Sequence, residues 1–418
     1  MPSTRFVTRA ALMACAAMAL SACAADQTGP QSASSSAARS ASPYPSTYAP
    51  YPGRPTALVG ATLFDGRGGQ MQNATVLFEN GRITAVGDAS LGVPAGYDRI
   101  DGTGKFVTPG VIDIHSHLGD YPSPDVALQI LPGSANLMGG RSVTLKNVPA
   151  LTVQGMKFPG APQGLKMACG ENPKRVYGGK GQAPSTRMGN FAVNRQTWID
   201  AQDYDGTDRN LAKDTLKAVL DGEIQVHNHC YRADEMALVI DMAKEFGYTV
   251  STFHHAVESY KIADLLREND ICSAVWADWW GFKMEAYDGI LENAALIENA
   301  GACVVIHSDD QDGIQRLNQE AAKAQAAGKR IGIDIPDGKV IGWFTYNAAK
   351  AMGIADETGS LETGKAADVV LWNGNPLSVY SRPEKVWIDG ALMFDANDPK
   401  RRPVSDFELG QPGAGDVK

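Results

Sequence analysis

Lys105–His117, KFVTPGVIDIHSH, is the stretch on which the fold turns. An apolar run breaks at Pro109-Gly110, resumes as Val111-Ile112-Asp113-Ile114 and closes on His115-x-His117. A strand repeats every two residues, so both imidazoles lie on one face. Four later runs have the same form: GLKMACGEN (164–172), EIQVHNH (223–229), YTVSTFHH (248–255) and ACVVIHSDD (302–310). Helix-like segments lie between them, such as ADEMALVIDMAKEFG (233–247) and DGILENAALIENAG (288–301). Strands alternating with helices predict a parallel α/β sheet or barrel. The chemically loaded residues fall at the C-terminal ends of the strands, where barrel enzymes place their sites.

The chain has seven histidines, and all sit in these motifs: His115, His117, His227, His229, His254, His255 and His307. Neutral imidazole offers a lone pair near pH 7 and is the commonest metal ligand. A histidine set with no member elsewhere therefore reads first as a metal site.

Outside this block, residues 57–68, 74–88, 359–374 and 384–395 show short strand patterns with Gly and Asn turns. Two β-rich pieces thus flank the central one. At 418 residues the chain can hold one barrel-sized domain and a smaller one. A net charge of −9 argues against nucleic acid as a partner, since phosphate binding needs basic patches.

Arg5 and Arg9 precede the apolar Ala10–Leu20, the pattern of a secretory signal too short to span a membrane. It ends in Leu20-Ser21-Ala22-Cys23, which resembles the bacterial lipobox and implies cleavage before Cys23 and a lipid on its thiol. That predicts a bacterial cell-envelope or periplasmic location with a lipid anchor in the membrane. Residues 23–53, rich in Ser, Ala, Pro and Tyr, read as a flexible tether. Cys169, Cys230, Cys272 and Cys303 show no C-x-x-C spacing. Export permits disulfides but the sequence specifies none, and buried thiols are the expectation.

TPGVIDIHSH, HxHxxRADE, HHAVES, HSDD, NAAKAMGI and GKAADVVLWNGNPL together resemble the amidohydrolase superfamily, and within it the imidazolonepropionase-like branch, over residues 57–396. The resemblance implies an α/β (β/α)8 barrel with a small β-sandwich built from both flanks. The domains expected are a signal peptide (1–22), the tether (23–53), an N-terminal sandwich segment (54–110), the barrel (111–355), a C-terminal sandwich segment (356–400) and a tail (401–418). It also implies zinc, as one or two ions, or another divalent metal. The ligands it implies are His115, His117, His229, His255 and Asp309, with a carboxylated Lys166 as bridge. Glu171 and Lys174 are alternatives for that bridge, while His227, His254 and His307 support or pack.

Tyr231 and Arg232 either contact a substrate carbonyl and carboxylate or, for Arg232, pair with Asp234 or Glu235 at a helix start. Trp276, Trp279, Trp280 and Phe282 either wall the pocket or pack between barrel and helices. The activity implied is hydrolysis of an amide or other C–N bond by metal-activated hydroxide, with Asp309 as the proton carrier. Dipeptides, N-acyl amino acids and cyclic amides are the expected small-molecule substrates. A sugar or lactone ester and a deaminase reaction are variants. A non-catalytic metal-containing lipoprotein, binding or scaffolding, is the alternative from another class, and a homo-oligomer is compatible with either.

One spacing departs from the pattern. Only 49 residues separate His117 from Lys166. Three βα units at about 30 residues each would need roughly 90. About one unit is missing, the second strand and the helix before it. Three explanations stand: a rearranged or incomplete barrel, a Lys166 on an earlier strand, or an internal deletion.

Overall fold

The computed structural model describes residues 44–116, 138–310 and 313–401. His117, Cys23, the signal segment and residues 402–418 therefore lie outside the described residues, and so do the expectations placed on them.

Both flanks enter one eight-stranded sheet. Its N-terminal strands are β1 (Thr56–Phe64), β2 (Gln70–Glu79), β3 (Arg82–Gly87), β4 (Asp98–Asp101) and β5 (Phe106–Pro109). The β2–β3 hairpin turns on Asn80-Gly81, both with positive φ (51° and 79°). That is the two-residue turn whose twist matches flanking strands, and Asn-Gly is the pair that favours it.

The central sheet follows: β6 (Met138–Ser142), β7 (Gln163–Ala168), β8 (Ile224–Cys230), β9 (Val250–His255), β10 (Cys272–Val275) and β11 (Val304–Ile306). The chain then returns to the first sheet as β12 (Val369–Trp372), β13 (Pro383–Ile388) and β14 (Ala391–Asp395). The order there is β14-β13-β12-β5-β1-β2-β3, with β4 parallel to the first half of β1. Val369 pairs with Pro109 and Trp372 with Phe106, which ties the two ends of the chain together. The described flank strands form this one sheet, and its inner face packs around Leu58, Val76, Phe78, Val369 and Trp387.

The central order is β11-β10-β9-β8-β7-β6. Every neighbouring pair from β7 to β11 is parallel, as alternating strands and helices predict. Beyond the other edge, Asp309 N–H donates to the His115 carbonyl (3.0 Å) and Ile112 N–H to the Phe344 carbonyl (2.9 Å). The His115 segment thus lies alongside the end of β11. In a flat sheet, His115 and β7 would be about 24 Å apart, five strand spacings. Yet Lys166 Nζ lies 3.3 Å from His115 Nδ1, so the sheet is curled until its far members face each other.

Closure is where expectation and structure differ. Among the described residues no parallel strand lies between the His115 segment and β7. β6 stands there instead, running antiparallel to β7. Lys166 is nonetheless on the strand next to β8. The long excursion is on its other side, where helices Glu171–Gly178, Arg187–Gln202 and Leu211–Leu220 separate β7 from β8.

Two further expectations are corrected. The cysteines are not free thiols, because Cys169 is bonded to Cys230 and Cys272 to Cys303. Register explains the pairing. Ala168 faces His229 and Ser273 faces Val304 on adjacent parallel strands, so the cysteines beside them meet at Cα separations of 5.2 and 4.5 Å.

The described end of the expected tether is held down. Tyr51 Oη donates to the Pro149 carbonyl (2.6 Å), Thr47 N–H to the Gln154 carbonyl (2.9 Å), and Tyr48 Oη to Asp389. Lys146 Nζ, buried below, binds Asp368 (2.8 Å) and Asp389 (3.0 Å), joining that segment to the flank sheet.

Candidate active site

Period two divides the central strands into faces. Lys166 is in register with His227 and Ala168 with His229, so all four share one face of β7 and β8. Leu165, Met167 and Val226 take the other face and enter the main apolar core, beside Val239, Ile240 and Phe246 of the helix Ala233–Phe246. The polar residues are thereby forced to the concave side.

β9 contributes His254 in register with His229. His255 is one residue out of phase, but its backbone is left-handed (φ 70°), as is that of Ala256 (φ 35°). Its ring centroid lies 4.5 Å from that of His229 and 4.8 Å from that of His115. Asp309 also has positive φ (59°). Non-glycine residues seldom adopt this region, and such strain clusters at functional sites.

Lys166, His115, His229, His255 and Asp309 converge. His115 Nε2 is 3.0 Å from Asp309 Oδ1, and His255 Nδ1 is 3.6 Å from Asp309 Oδ2. Among the described residues, two triads bring ligand atoms within 4.8 Å of one another: His115–His255–His307 and Cys169–Cys230–Glu235. The second is consumed by the disulfide. His307 thus stands inside the cluster as closely as the proposed ligands. His254 joins two others, with Nδ1 2.8 Å from His115 Nδ1 and Nε2 3.0 Å from His227 Nδ1.

Burial sets the protonation. It pushes His227 down to about 3 and holds His229, His254 and His255 well below the ordinary histidine value, so these imidazoles are neutral at pH 7. Burial also lowers Lys166 to about 7, against a weaker opposing pull from Asp309.

A divalent metal fits these residues. Both ring nitrogens of His229 are buried with no hydrogen-bond partner among the described residues, a costly state unless a cation takes the lone pair. Neutral imidazoles beside a carboxylate are a borderline-soft donor set.

The flanking residues sort themselves. Tyr231 is buried 5.0 Å (centroid to centroid) from His229 and stacks on His255 at 5.4 Å. Arg232 instead points to Asp234, with Nε 2.9 Å from Oδ1, and takes the helix-start pairing rather than a place in the cluster. Trp276 stacks on His255 (4.5 Å, 24°) and donates Nε1–H to the Ser308 carbonyl (3.2 Å), so it walls the site. Glu171 lies outside the cluster, its backbone N–H donating to Glu285 (2.8 Å).

Residues the motifs did not single out complete the surroundings. Asp113 Oδ1 accepts from the backbone N–H of His115 and of Ser308 (3.2 Å each), locking the first histidine turn against the last strand. Lys283 Nζ sits 3.9 Å over the Tyr231 ring and 2.8 Å from the buried Glu285. Arg187 bridges Glu285 (3.3 Å) and Glu235, whose carboxyl burial raises to about 7. Only their order beside an aromatic run hinted at Lys283 and Glu285; nothing in the sequence marks Arg187.

Comparison with known proteins agrees with this architecture. Residues 206–401 match the Amidohydrolase family. Amidohydrolase tasK of Hapsidospora irregularis is 28% identical over 394 residues, 77% of this chain but 40% of that protein, so the chain spans less than half of that relative. An imidazolonepropionase of Geobacillus sp. (strain WCH70) is 23% identical over 362 residues, covering 72% of this chain and 84% of the relative. The crystal structure of an amidohydrolase from Thermotoga maritima MSB8 is similar at TM-score 0.71 and 29% identity, covering 81% of this chain and 100% of that one. Residues 206–401 thus carry the match to the Amidohydrolase family, and the curled sheet with histidine-bearing strand ends is similar in fold to the Thermotoga amidohydrolase.

Proposed function

We propose that this chain hydrolyses the amide bond of a small substrate, a dipeptide, an N-acyl amino acid or a cyclic amide, with zinc as the metal. The observation that carries this is the convergence of Lys166, His115, His255 and Asp309 around the bare ring nitrogens of buried His229. Those five side chains would hold the metal, with His307 beside them. A bound zinc ion supplies Lewis acidity there, lowering the pKa of a water to about 7 and polarising a carbonyl.

The chain's own residues supply the rest. Asp309 takes a proton from the attacking water and returns it to the leaving nitrogen. Its Oδ1 is 3.0 Å from His115 Nε2, which fixes the carboxylate. Tyr231 and Trp276, both stacked on His255, exclude bulk water from one side. Lys166, its amine neutral above about pH 7, is the lysine able to take up CO2 as a carbamate, an anion suited to bridging two cations.

Elemental analysis together with a panel of dipeptides, N-acyl amino acids and cyclic amides tests the proposal. Bound zinc with turnover supports it. Metal without turnover on any member of the panel would leave the non-catalytic lipoprotein as the better account. Asp309→Asn is expected to keep metal while turnover falls at least about a hundredfold. Near wild-type turnover in that variant would sink the role of Asp309.

A further inference from the structure

One pocket shares His307 with the cluster. It is lined by Trp279, His307, Ser308, Asp310, Arg316 and Glu320. Trp279 is the third ring of a stack that begins at the cluster: His255, then Trp276 (4.5 Å), then Trp279 (5.1 Å, 23°). It remains 43% exposed, so one face is open. Exposed Trp280 and Phe282 extend the same apolar lip.

Arg316 lines the same pocket, and among the described residues it forms no ion pair. The pocket's two carboxylates are engaged elsewhere. Glu320 is 2.8 Å from Lys323 Nζ, and Asp310 Oδ1 accepts the Gly313 N–H at 2.6 Å. A guanidinium whose acidic neighbours are occupied is open to an anion, and its planar fork matches a carboxylate.

We propose that this pocket binds the leaving amino acid, with Arg316 holding its free α-carboxylate and Trp279 carrying a large apolar or aromatic side chain. The substrates are then N-acyl amino acids or dipeptides ending in such a residue. Carboxylate and side chain branch from one carbon, so an anion receptor and a flat apolar platform within one pocket read a single amino acid. This rests on the hydrolase proposal and narrows it. Arg316 and Trp279 are specificity residues, distinct from the cluster that performs the reaction.

The test pairs binding with turnover on the full chain. Tryptophan fluorescence titrations with N-acetyl-L-phenylalanine and its carboxamide report binding whether or not the bond is cut. The wild type is expected to favour the acid by about tenfold to a hundredfold, the range of a charge-assisted bond. Arg316→Gln should erase that preference and Arg316→Lys should restore some of it. Trp279→Ala should raise KM for N-acetyl-L-phenylalanine without raising it for N-acetylglycine. Arg195→Gln, at an exposed Arg195–Glu245 pair, is the charge-matched control and should change neither readout.

Equal affinity of the wild type for acid and amide, or an unchanged preference in Arg316→Gln, would overturn the assignment even while hydrolysis persists. Carboxylate-dependent binding lost in Arg316→Gln, with no bond cleaved, would uphold the pocket and sink the hydrolase proposal alone.

Discussion

The central sheet is built in two manners on either side of β7. From β7 to β11 each strand has a parallel neighbour, β7 to β9 carry polar residues on the concave side, and two disulfides join adjacent strands. From β7 toward the His115 segment, the described residues offer one antiparallel strand, β6, and loops. The cluster uses both sides, since His115 comes from the second and His229, His255 and Lys166 from the first. The donor cluster therefore draws on a regular and an irregular part of the described sheet. It needs the strand ends that carry donors and a partner that fixes each one, as Asp113 does for His115.

That contrast can be broken from the regular side first. Cys272→Ser with Cys303→Ser removes a 31-residue cross-link and should cost about 3 kcal/mol in urea unfolding, because the unfolded chain regains loop entropy. Its staple lies at the strand ends opposite the cluster, so turnover should survive. An unchanged urea midpoint would show that the regular half does not depend on it.

The junction comes next. Lys166 has a folded pKa of about 7 against an ordinary 10.5, so the unfolded chain binds more protons between those values. On this group stability rises with pH across that window, by at most about 1.4 kcal/mol per pH unit. Lys166→Met in metal-stripped protein should flatten that rise. The same slope in the variant would assign it to another group.

The smallest effect should come from the irregular side. Arg141 on β6 holds Thr215 Oγ1 (3.0 Å) and Gln163 Oε1 (2.9 Å) at the surface. Arg141→Ala should cost less than about 1 kcal/mol, as exposed polar contacts do. A loss comparable to that of the disulfide would mean that β6 closes the sheet after all.

Much of this was readable in the residues. Strand ends at His229 and His255, and a strand just before Asp309, follow from alternating apolar runs, and the Asn80-Gly81 hairpin from two residues. His255 shows the limit of periodicity, because period two puts His254 on the inner face. Only left-handed backbone at 255 and 256, or a family motif, brings its neighbour into the cluster. The disulfides were hidden for a related reason. Their separations of 61 and 31 residues carry no signal until strand register places the partners opposite each other. Arg187 and Asp113 work through long-range contacts that no local pattern encodes.

The pairing of β5 with β12 has a consequence for how the chain is made. Some 260 residues separate Pro109 from its partner Val369. As synthesis proceeds at about 5–20 residues per second, β1 to β5 emerge on the order of tens of seconds before the strand that completes their sheet. During that wait Phe106 and Val107 present an open edge, the kind of surface that recruits chaperones or other nascent chains. Truncation just before residue 369 should therefore yield an aggregating product rather than a smaller folded domain.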